Sequence, residues 1–347
     1  MREELARLLS QFEGPTTPLR GRFTFDPVVG LRRLAEGRFR QPESYLLALV
    51  QAAVALGARQ LELERHPFYT CVCWDGEICP LEPLEAGLVS LQPGSPLFWT
   101  MVGAANSRAA RVLLESRSGP QALLMEPGRL ERVEFLRRRP ELTFSHRLLL
   151  SFPEGRSFRK SPSELALLRE QCLFGPLRIS CNGALIESEG NRPRGWSWKT
   201  RPQVLVEWLY PGRGLYLPAV AGRVSELRPE GAGSARVTLP LANQRCYGAW
   251  LALESDLSPG LRCRVVHEGV VVASTELPTR LGGQAVLSSD GFELDASGLR
   301  VVGRGLQTRQ RELEPELDRL VERARNLGEL LAWSAAGRRR LQAESTQ

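Results

Sequence analysis

The sequence predicts a protein of the α+β class, in which helices and mainly antiparallel strands follow one another along the chain. Apolar residues recur at helical spacing over residues 42–56, and apolar and polar residues alternate over 60–64, as in a half-buried strand. Short apolar segments separated by Gly and Pro over 204–275 indicate an antiparallel sheet, and an apolar stripe over 308–331 indicates a C-terminal helix.

The composition is that of a folded globular protein. The chain has 347 residues, of which 42% are hydrophobic and 24% charged, enough for two or three domains with their own cores. No segment approaches the roughly 20 consecutive apolar residues that cross a bilayer, and the start of the chain lacks the apolar core of a signal peptide. We therefore expect a cytoplasmic protein with no membrane partner.

The seven cysteines form an odd, scattered set, which favours reduced thiols over a disulfide framework. Cys71, Cys73 and Cys79 cluster, with His66 nearby, but they lack the Cys-x-x-Cys spacing of a zinc knuckle. We expect buried structural thiols and no metal site. The three histidines lie far apart in sequence and lack a partner motif, so we expect no catalytic residues among them.

The net charge of +7 raises nucleic-acid binding as one hypothesis. The basic residues are almost all arginine, with lysine only at Lys160 and Lys199. The arginine runs at 137–139 and 338–340 lack the interleaved aromatic residues that single-strand binders use. We expect these runs to be solvated or to lie at domain junctions.

The order of elements near the N-terminus is distinctive. Asp26-Pro27 predicts a helix start, because Asp caps helices and Pro fits their first turn. A helix follows over Pro42–Leu56, then a strand over Gln60–Glu64. A second strand over Tyr69–Trp74 runs into the turn Asp75-Gly76.

This order resembles the nucleotide-binding domain, or Bergerat fold, of the GHKL superfamily of gyrase, HtpG chaperones, histidine kinases and MutL, and it is most similar to HtpG and MutL. In active members the helix equivalent to 42–56 carries a glutamate that activates water and, four residues later, an asparagine that holds magnesium. Those positions are Ala48 and Ala52 in this chain. A methyl group neither takes a proton nor ligates a cation. The resemblance therefore implies a degenerate member without hydrolytic activity.

The resemblance also makes Asp75 and Gly76 candidate nucleotide-binding residues, since the family aspartate accepts the adenine amino group. Glu77 stands where the family motif has its next glycine, and an Asp-Gly turn after a strand is also ordinary loop chemistry. The segment equivalent to the phosphate-binding lid, Ser90–Pro96, has a single glycine between two prolines. We expect no resident cofactor, and weak or absent binding of ATP or ADP.

The predicted organisation has four parts. Residues 1–20 form an N-terminal docking helix and residues 21–139 the degenerate nucleotide-binding domain. Residues 140–305 contain a region that resembles the S5-like domain of HtpG and MutL, followed by a β-rich region, and residues 306–347 form a helix and a disordered tail. The resemblance places a phosphate-sensing basic residue at Lys160 or Arg159; the alternative is a solvated loop charge.

Three functions are open from the sequence. The leading hypothesis is a non-hydrolysing, HtpG-like module that serves as a scaffold or binding component of a larger assembly, with protein partners and a homodimer as its expected associations. The second is a diverged, slow ATP-dependent chaperone-like clamp in which Asp75 reads adenine. The third is a basic nucleic-acid-binding module, which predicts affinity that falls steeply with salt.

Overall fold

The computed structural model has the predicted α+β architecture, with two sheets and helices packed against them. It describes residues 26–344 except 40, 120, 135–143, 156–163, 173, 175–176, 187–202, 211–224, 228–248, 255, 304 and 328–332. The predicted docking helix over 1–20, the arginine run at 137–139 and the residues Arg159 and Lys160 lie outside this part of the chain.

The first helix begins at the predicted residue, Pro27, and the second begins at Tyr45, three residues after the predicted start at Pro42. Asp26 caps the first helix, because its Oδ1 accepts the amide of Val28 at 2.9 Å. A short 3₁₀ turn at Pro42–Ser44 leads into the second helix. The bounds are α1 Pro27–Glu36, α2 Tyr45–Ala55, α3 Leu81–Ser90, α4 Phe98–Ala105 and α5 Glu164–Gln171.

The first sheet has eight strands in the order β5-β4-β3-β6-β2-β1-β7-β8. Neighbouring strands are antiparallel except β1 and β7, which run parallel. The bounds are β1 Gln60–His66, β2 Tyr69–Trp74, β3 Arg111–Ser116, β4 Gln121–Glu126, β5 Arg129–Glu134, β6 His146–Ser151, β7 Arg178–Cys181 and β8 Ala184–Leu185.

This sheet crosses the domain boundary that the sequence predicts at residue 139. Strand β6 lies between β3 and β2, where its residues Leu148 and Leu150 are buried in the common core. Strands β7 and β8 extend the same sheet beyond β1. Strands β6, β7 and β8 therefore belong to the same sheet as β1–β5. Alternation within a strand predicts its faces but not the sheet that it joins.

The second sheet has six strands in the order β10-β9-β11-β14-β12-β13. The sequence has six short apolar segments over 204–275. Four of them form strands here, and the two at 214–220 and 235–241 lie outside the described residues. The central strand β14 is buried throughout and was not predicted. The bounds are β9 Gln203–Tyr210, β10 Ser225–Leu227, β11 Ala249–Glu254, β12 Leu261–His267, β13 Val270–Leu277 and β14 Gly283–Ser288; a small hairpin pairs β15 Glu293–Leu294 with β16 Val301–Val302.

Two helices end the described chain, α6 Gly305–Leu327 and α7 Ala335–Glu344. The predicted apolar stripe of α6 is buried at Leu313, Leu317, Leu320, Val321 and Ala324. The prediction of disorder after Gly337 is wrong for residues 338–344, because α7 includes them. Arg340 anchors α7 by donating to the Asp256 carbonyl at 2.6 Å and to Ser258 Oγ at 3.1 Å.

Helix α2 lies at the centre of the molecule. Every residue from Tyr45 to Val54 is buried, since α2 contacts α4, α5 and β13 of the second sheet. The sequence predicts a helix with one apolar stripe, but the second sheet also covers the opposite side. Among the described residues, no helix has both the length and the apolar character needed to cross a bilayer.

Candidate functional site

The positions that would carry the catalytic residues of the resembled family lie in one cleft. Ala48 and Ala52 are one turn apart on α2, and both are buried. They line a cleft of about 320 Å³. The other walls come from Pro96, Trp99, His267, Glu268 and a turn at residues 294–298. The cleft thus lies between α2 and the C-terminal half of the chain.

Gln51 ties α2 to that turn. Its Nε2 donates to the Gly298 carbonyl at 2.8 Å and contacts the His267 carbonyl at 3.5 Å. Gln51 is itself buried, so these carbonyls replace the water that its amide loses. The sequence gives one signal for this residue, a lone amide within an otherwise apolar helix.

The turn approaches α2 closely because Gly298 has no side chain. Its φ is +70°, in the left-handed region that favours glycine. A Cβ at this position would lie 3.2 Å from His267 Cδ2 and 3.5 Å from Gln51 Oε1. Glycine therefore meets both a conformational and a packing requirement at this contact.

Asp295 holds the turn in its folded conformation. Its Oδ1 accepts the Ser297 hydroxyl at 2.8 Å and the Leu299 amide at 3.2 Å. Its carbonyl accepts the Gly298 amide at 2.9 Å, and its own amide donates to the Arg300 carbonyl at 2.9 Å. With β15 and β16 paired on either side, the turn is supported by its own hydrogen bonds before it meets α2.

The electrostatics of the cleft are unfavourable for phosphate. The charged residues that line it in the described part of the chain are the acids Glu268 and Asp295, and no Arg or Lys is among them. Burial lowers the pKa of His267, which favours its neutral form, and its Nδ1 lies 2.8 Å from Ser289 Oγ. Phosphate sites require backbone amides, Arg or Lys. The cleft offers a polyphosphate negative charge instead.

The structure places Asp75 and Gly76 at a junction between α2 and β1. Asp75 Oδ1 accepts the amides of Arg59 and Gln60, both at 2.8 Å. Gly76 has a φ of +116°, and a Cβ there would lie 2.8 Å from the Leu56 carbonyl oxygen. These contacts give both residues a local role in the turn. A role in nucleotide binding stays a prediction.

His146 supports the same turn from β6. Its ring stacks on Trp74 with the centroids 5.1 Å apart, and its Nε2 lies 2.8 Å from the Glu77 carbonyl. Burial lowers the pKa of this imidazole. These contacts are structural.

A buried polar cluster fixes α2 to the first sheet and to α5. Glu164 on α5 accepts the Tyr45 hydroxyl at 2.9 Å and Arg65 Nε at 2.7 Å, and Thr70 Oγ1 lies 3.5 Å from the same carboxylate. Only 1% of the Glu164 side chain is exposed. No local motif in the sequence predicts this cluster, because its members come from four separate elements, α2, β1, β2 and α5.

The predicted cysteine cluster separates in the fold. Cys71 and Cys73 are neighbours on β2, with their sulfur atoms 3.9 Å apart. Cys79 is buried beyond the turn and contacts Ser95 Oγ at 3.3 Å. His66 stacks on Tyr69 with the ring centroids 4.8 Å apart. Within the described ranges, no three His, Cys, Asp or Glu side chains are arranged to hold a metal ion.

Comparison with known proteins gives a structural likeness alone. The chain is similar to the B-subunit of the DNA gyrase from Myxococcus xanthus, a crystal structure, at 12% sequence identity and a TM-score of 0.47. The match covers 85% of this chain and 95% of the gyrase chain. No protein-family model matches the chain, and neither does any curated protein.

Proposed function

We propose that this chain is a non-hydrolysing, GHKL-like module that serves as a binding or scaffold component of a larger protein assembly. The observation that carries this proposal is the contact that Gln51 of α2 makes with the turn at 294–298, beside the cleft that Ala48 and Ala52 line. The resemblance assigns α2 to the helix that the family uses for water activation and magnesium binding. Here it makes an internal packing contact.

The chemistry of the cleft supports the same proposal. Hydrolysis needs a general base for water and an oxygen ligand for magnesium, and two methyl groups supply neither. Glu268 and Asp295 bring acidic side chains to the cleft, but each is on the C-terminal half of the chain. An anionic cleft repels the triphosphate that a clamp-type ATPase has to bind.

The packing of α2 further supports a fixed module. An ATP-driven clamp needs an element that changes its contacts when nucleotide binds. Helix α2 is instead held from three directions, by Glu164, by Gln51 and by the close approach of Gly103, whose Cβ would lie 2.9 Å from Tyr45 Cα. Protein partners, including a second copy of the chain, are the associations that fit such a module.

Calorimetric titration with ATP and ADP, with and without magnesium, tests the proposal. The wild type and Asp75→Asn are compared, with Glu77→Gln as the control because it changes an adjacent carboxylate. We expect no saturable heat at millimolar nucleotide for any of the three proteins. Magnesium-dependent binding with turnover in the wild type would contradict the proposal. Binding lost only in Asp75→Asn would instead favour a surviving adenine pocket.

A restoration experiment tests the same cleft. The double variant Ala48→Glu with Ala52→Asn introduces the family residues on α2, yet we expect no ATPase activity because the acids Glu268 and Asp295 still line the cleft. The single variant Ala48→Gln is the control for added bulk. Turnover in the double variant above that control would show that the cleft admits nucleotide.

A further inference from the structure

Two thiols lie side by side on the face of β2 opposite the helices. Residues two apart on a strand point to the same side, so Cys71 and Cys73 share a face while Thr70, Val72 and Trp74 are buried on the other. The two sulfur atoms are 3.9 Å apart and both side chains are partly exposed. The pair is therefore accessible to a small ion from solvent.

Charged side chains surround this pair in the neighbouring strands. Arg147 on β6 is directly opposite Cys73, and Glu62 and Glu64 on β1 are opposite Cys73 and Cys71. Arg147 forms an ion pair with Glu115 of β3, and Glu64 accepts the Tyr69 hydroxyl at 2.5 Å. Directly opposite positions in antiparallel strands have Cβ atoms about 4.5–5.5 Å apart, so these charges act on the thiols at short range.

A disulfide between the two cysteines is disfavoured by the strand. Two residues of an antiparallel strand advance about 6.8 Å, which is the upper limit of the Cα separation that a disulfide spans. Shortening it would bend β2, which is paired with β1 on one side and β6 on the other. The two sulfur atoms are therefore close enough to bind one metal ion, but the extended strand disfavours a disulfide bond between them.

A metal ion fits the gap without movement of the backbone. An ion about 2.3 Å from each sulfur would subtend an S–metal–S angle of about 116° at the observed separation, between the tetrahedral and trigonal values. We propose that Cys71 and Cys73 form a two-thiolate site for a soft, thiophilic metal ion such as Zn²⁺ or Cu⁺. Water or a ligand from another molecule completes its coordination shell.

The pKa values of the two thiols are shifted in opposite directions. A hydrogen bond with Cys73, followed by the nearby charge of Arg147, lowers the pKa of Cys71, despite the opposing effects of burial and of Glu64 and Glu115. The hydrogen bond with Cys71 raises the pKa of Cys73, and burial adds to this increase. Metal binding forms two metal–sulfur bonds and releases to the buffer the protons that the two thiols carry.

Cadmium titration of the reduced full-length protein tests the site, since the ultraviolet sulfur-to-cadmium charge-transfer band reports thiolate ligands. We expect one equivalent to bind with a band of two-thiolate intensity. Cys71→Ser and Cys73→Ser should each weaken binding at least about tenfold, whereas Cys79→Ser should not. Displacement of cadmium by Zn²⁺ or Cu⁺ then identifies the preferred ion. A band that survives unchanged in both variants, or no stoichiometric band in the wild type, would overturn the proposal.

Alkylation mapping of the wild type keeps the test independent of how the variants fold. With Zn²⁺ present, mass spectrometry should find Cys71 and Cys73 protected from iodoacetamide, relative to the metal-free protein. Equal modification with and without Zn²⁺ and Cu⁺ would also overturn the proposal. A Cys71–Cys73 disulfide formed under mild oxidation, together with no metal protection, would replace the metal site with a redox pair.

Discussion

Single residues determine the lining of the α2 cleft in this protein. Ala48 and Ala52 present only methyl groups to the cleft, and Gln51 joins the same helix to the C-terminal half through its bond to the Gly298 carbonyl. Gly298 allows that bond because its backbone occupies the left-handed region next to His267. The lining of the cleft thus depends on two small residues, one amide and one glycine.

Substitution of Gly298 measures this contact. In Gly298→Ala the left-handed conformation costs about 1–2 kcal/mol, and the new methyl also meets His267 and Gln51. Gly128→Ala is the matched control, because its φ of +76° carries the same strain and its Cβ would meet nothing within 4 Å. We expect Gly298→Ala to lower the free energy of unfolding in urea by more than Gly128→Ala does. Equal losses would mean that the turn does not pack against α2.

At the scale of elements, α2 is fixed by contacts at both of its ends and in its middle. Its N-terminal end is held through Tyr45 and Glu164, its middle through Gln51, and its C-terminal end through the turn at Asp75 and Gly76. Each contact comes from a different part of the chain. The helix therefore joins several parts of the fold.

The ion pair of Glu164 with Arg65 tests how firmly α2 is held. Glu164→Gln leaves the nearly buried guanidinium of Arg65 without this carboxylate, a change that costs about 3–5 kcal/mol for buried pairs. Glu131→Gln is the control, since its ion pair with Arg129 is exposed and such pairs contribute about 0–1 kcal/mol. Urea denaturation should separate the two variants clearly. A loss below about 1 kcal/mol for Glu164→Gln would show that the cluster adds little to stability.

The elements were more predictable from the sequence than their arrangement. Helix caps, apolar periodicity and the Asp-Gly turn are local signals, so α1, α2, β1 and β2 were found close to their true bounds. The insertion of β6 between β3 and β2 depends on long-range pairing, which no local pattern encodes. The Gln51 contact was missed for the same reason, because its acceptor lies 247 residues away.

At the scale of the whole molecule, buried histidines link stability to pH. Burial lowers the pKa values of His146 and His267, so the unfolded chain binds their protons more readily than the folded chain does. Their stabilising contribution is complete above the unfolded value of about 6.5 and is lost as the pH falls below it. Burial also raises the pKa of Glu115, which acts in the opposite direction at more acidic pH.

We therefore expect the free energy of unfolding to fall between pH 7.5 and pH 5.5, a range about one unit on either side of the unfolded histidine pKa. His146→Gln and His267→Gln should each flatten this dependence. His66→Gln, which changes an exposed histidine, should leave it as in the wild type. Denaturation curves at a series of pH values provide the measurement. A dependence that is the same in all four proteins would remove the buried histidines as its cause.

The contact between α2 and the turn at 294–298 links the two halves of the molecule, and it should be present without nucleotide. Hydrogen-exchange mass spectrometry on peptides covering 45–55 and 289–303 tests this most directly, in the presence and absence of ATP and magnesium. We predict slow exchange in both peptides without nucleotide, no change when nucleotide is added, and faster exchange in both peptides in Gly298→Ala. Fast exchange that slows when ATP and magnesium are added would contradict the account, because the cleft would then be an open nucleotide site.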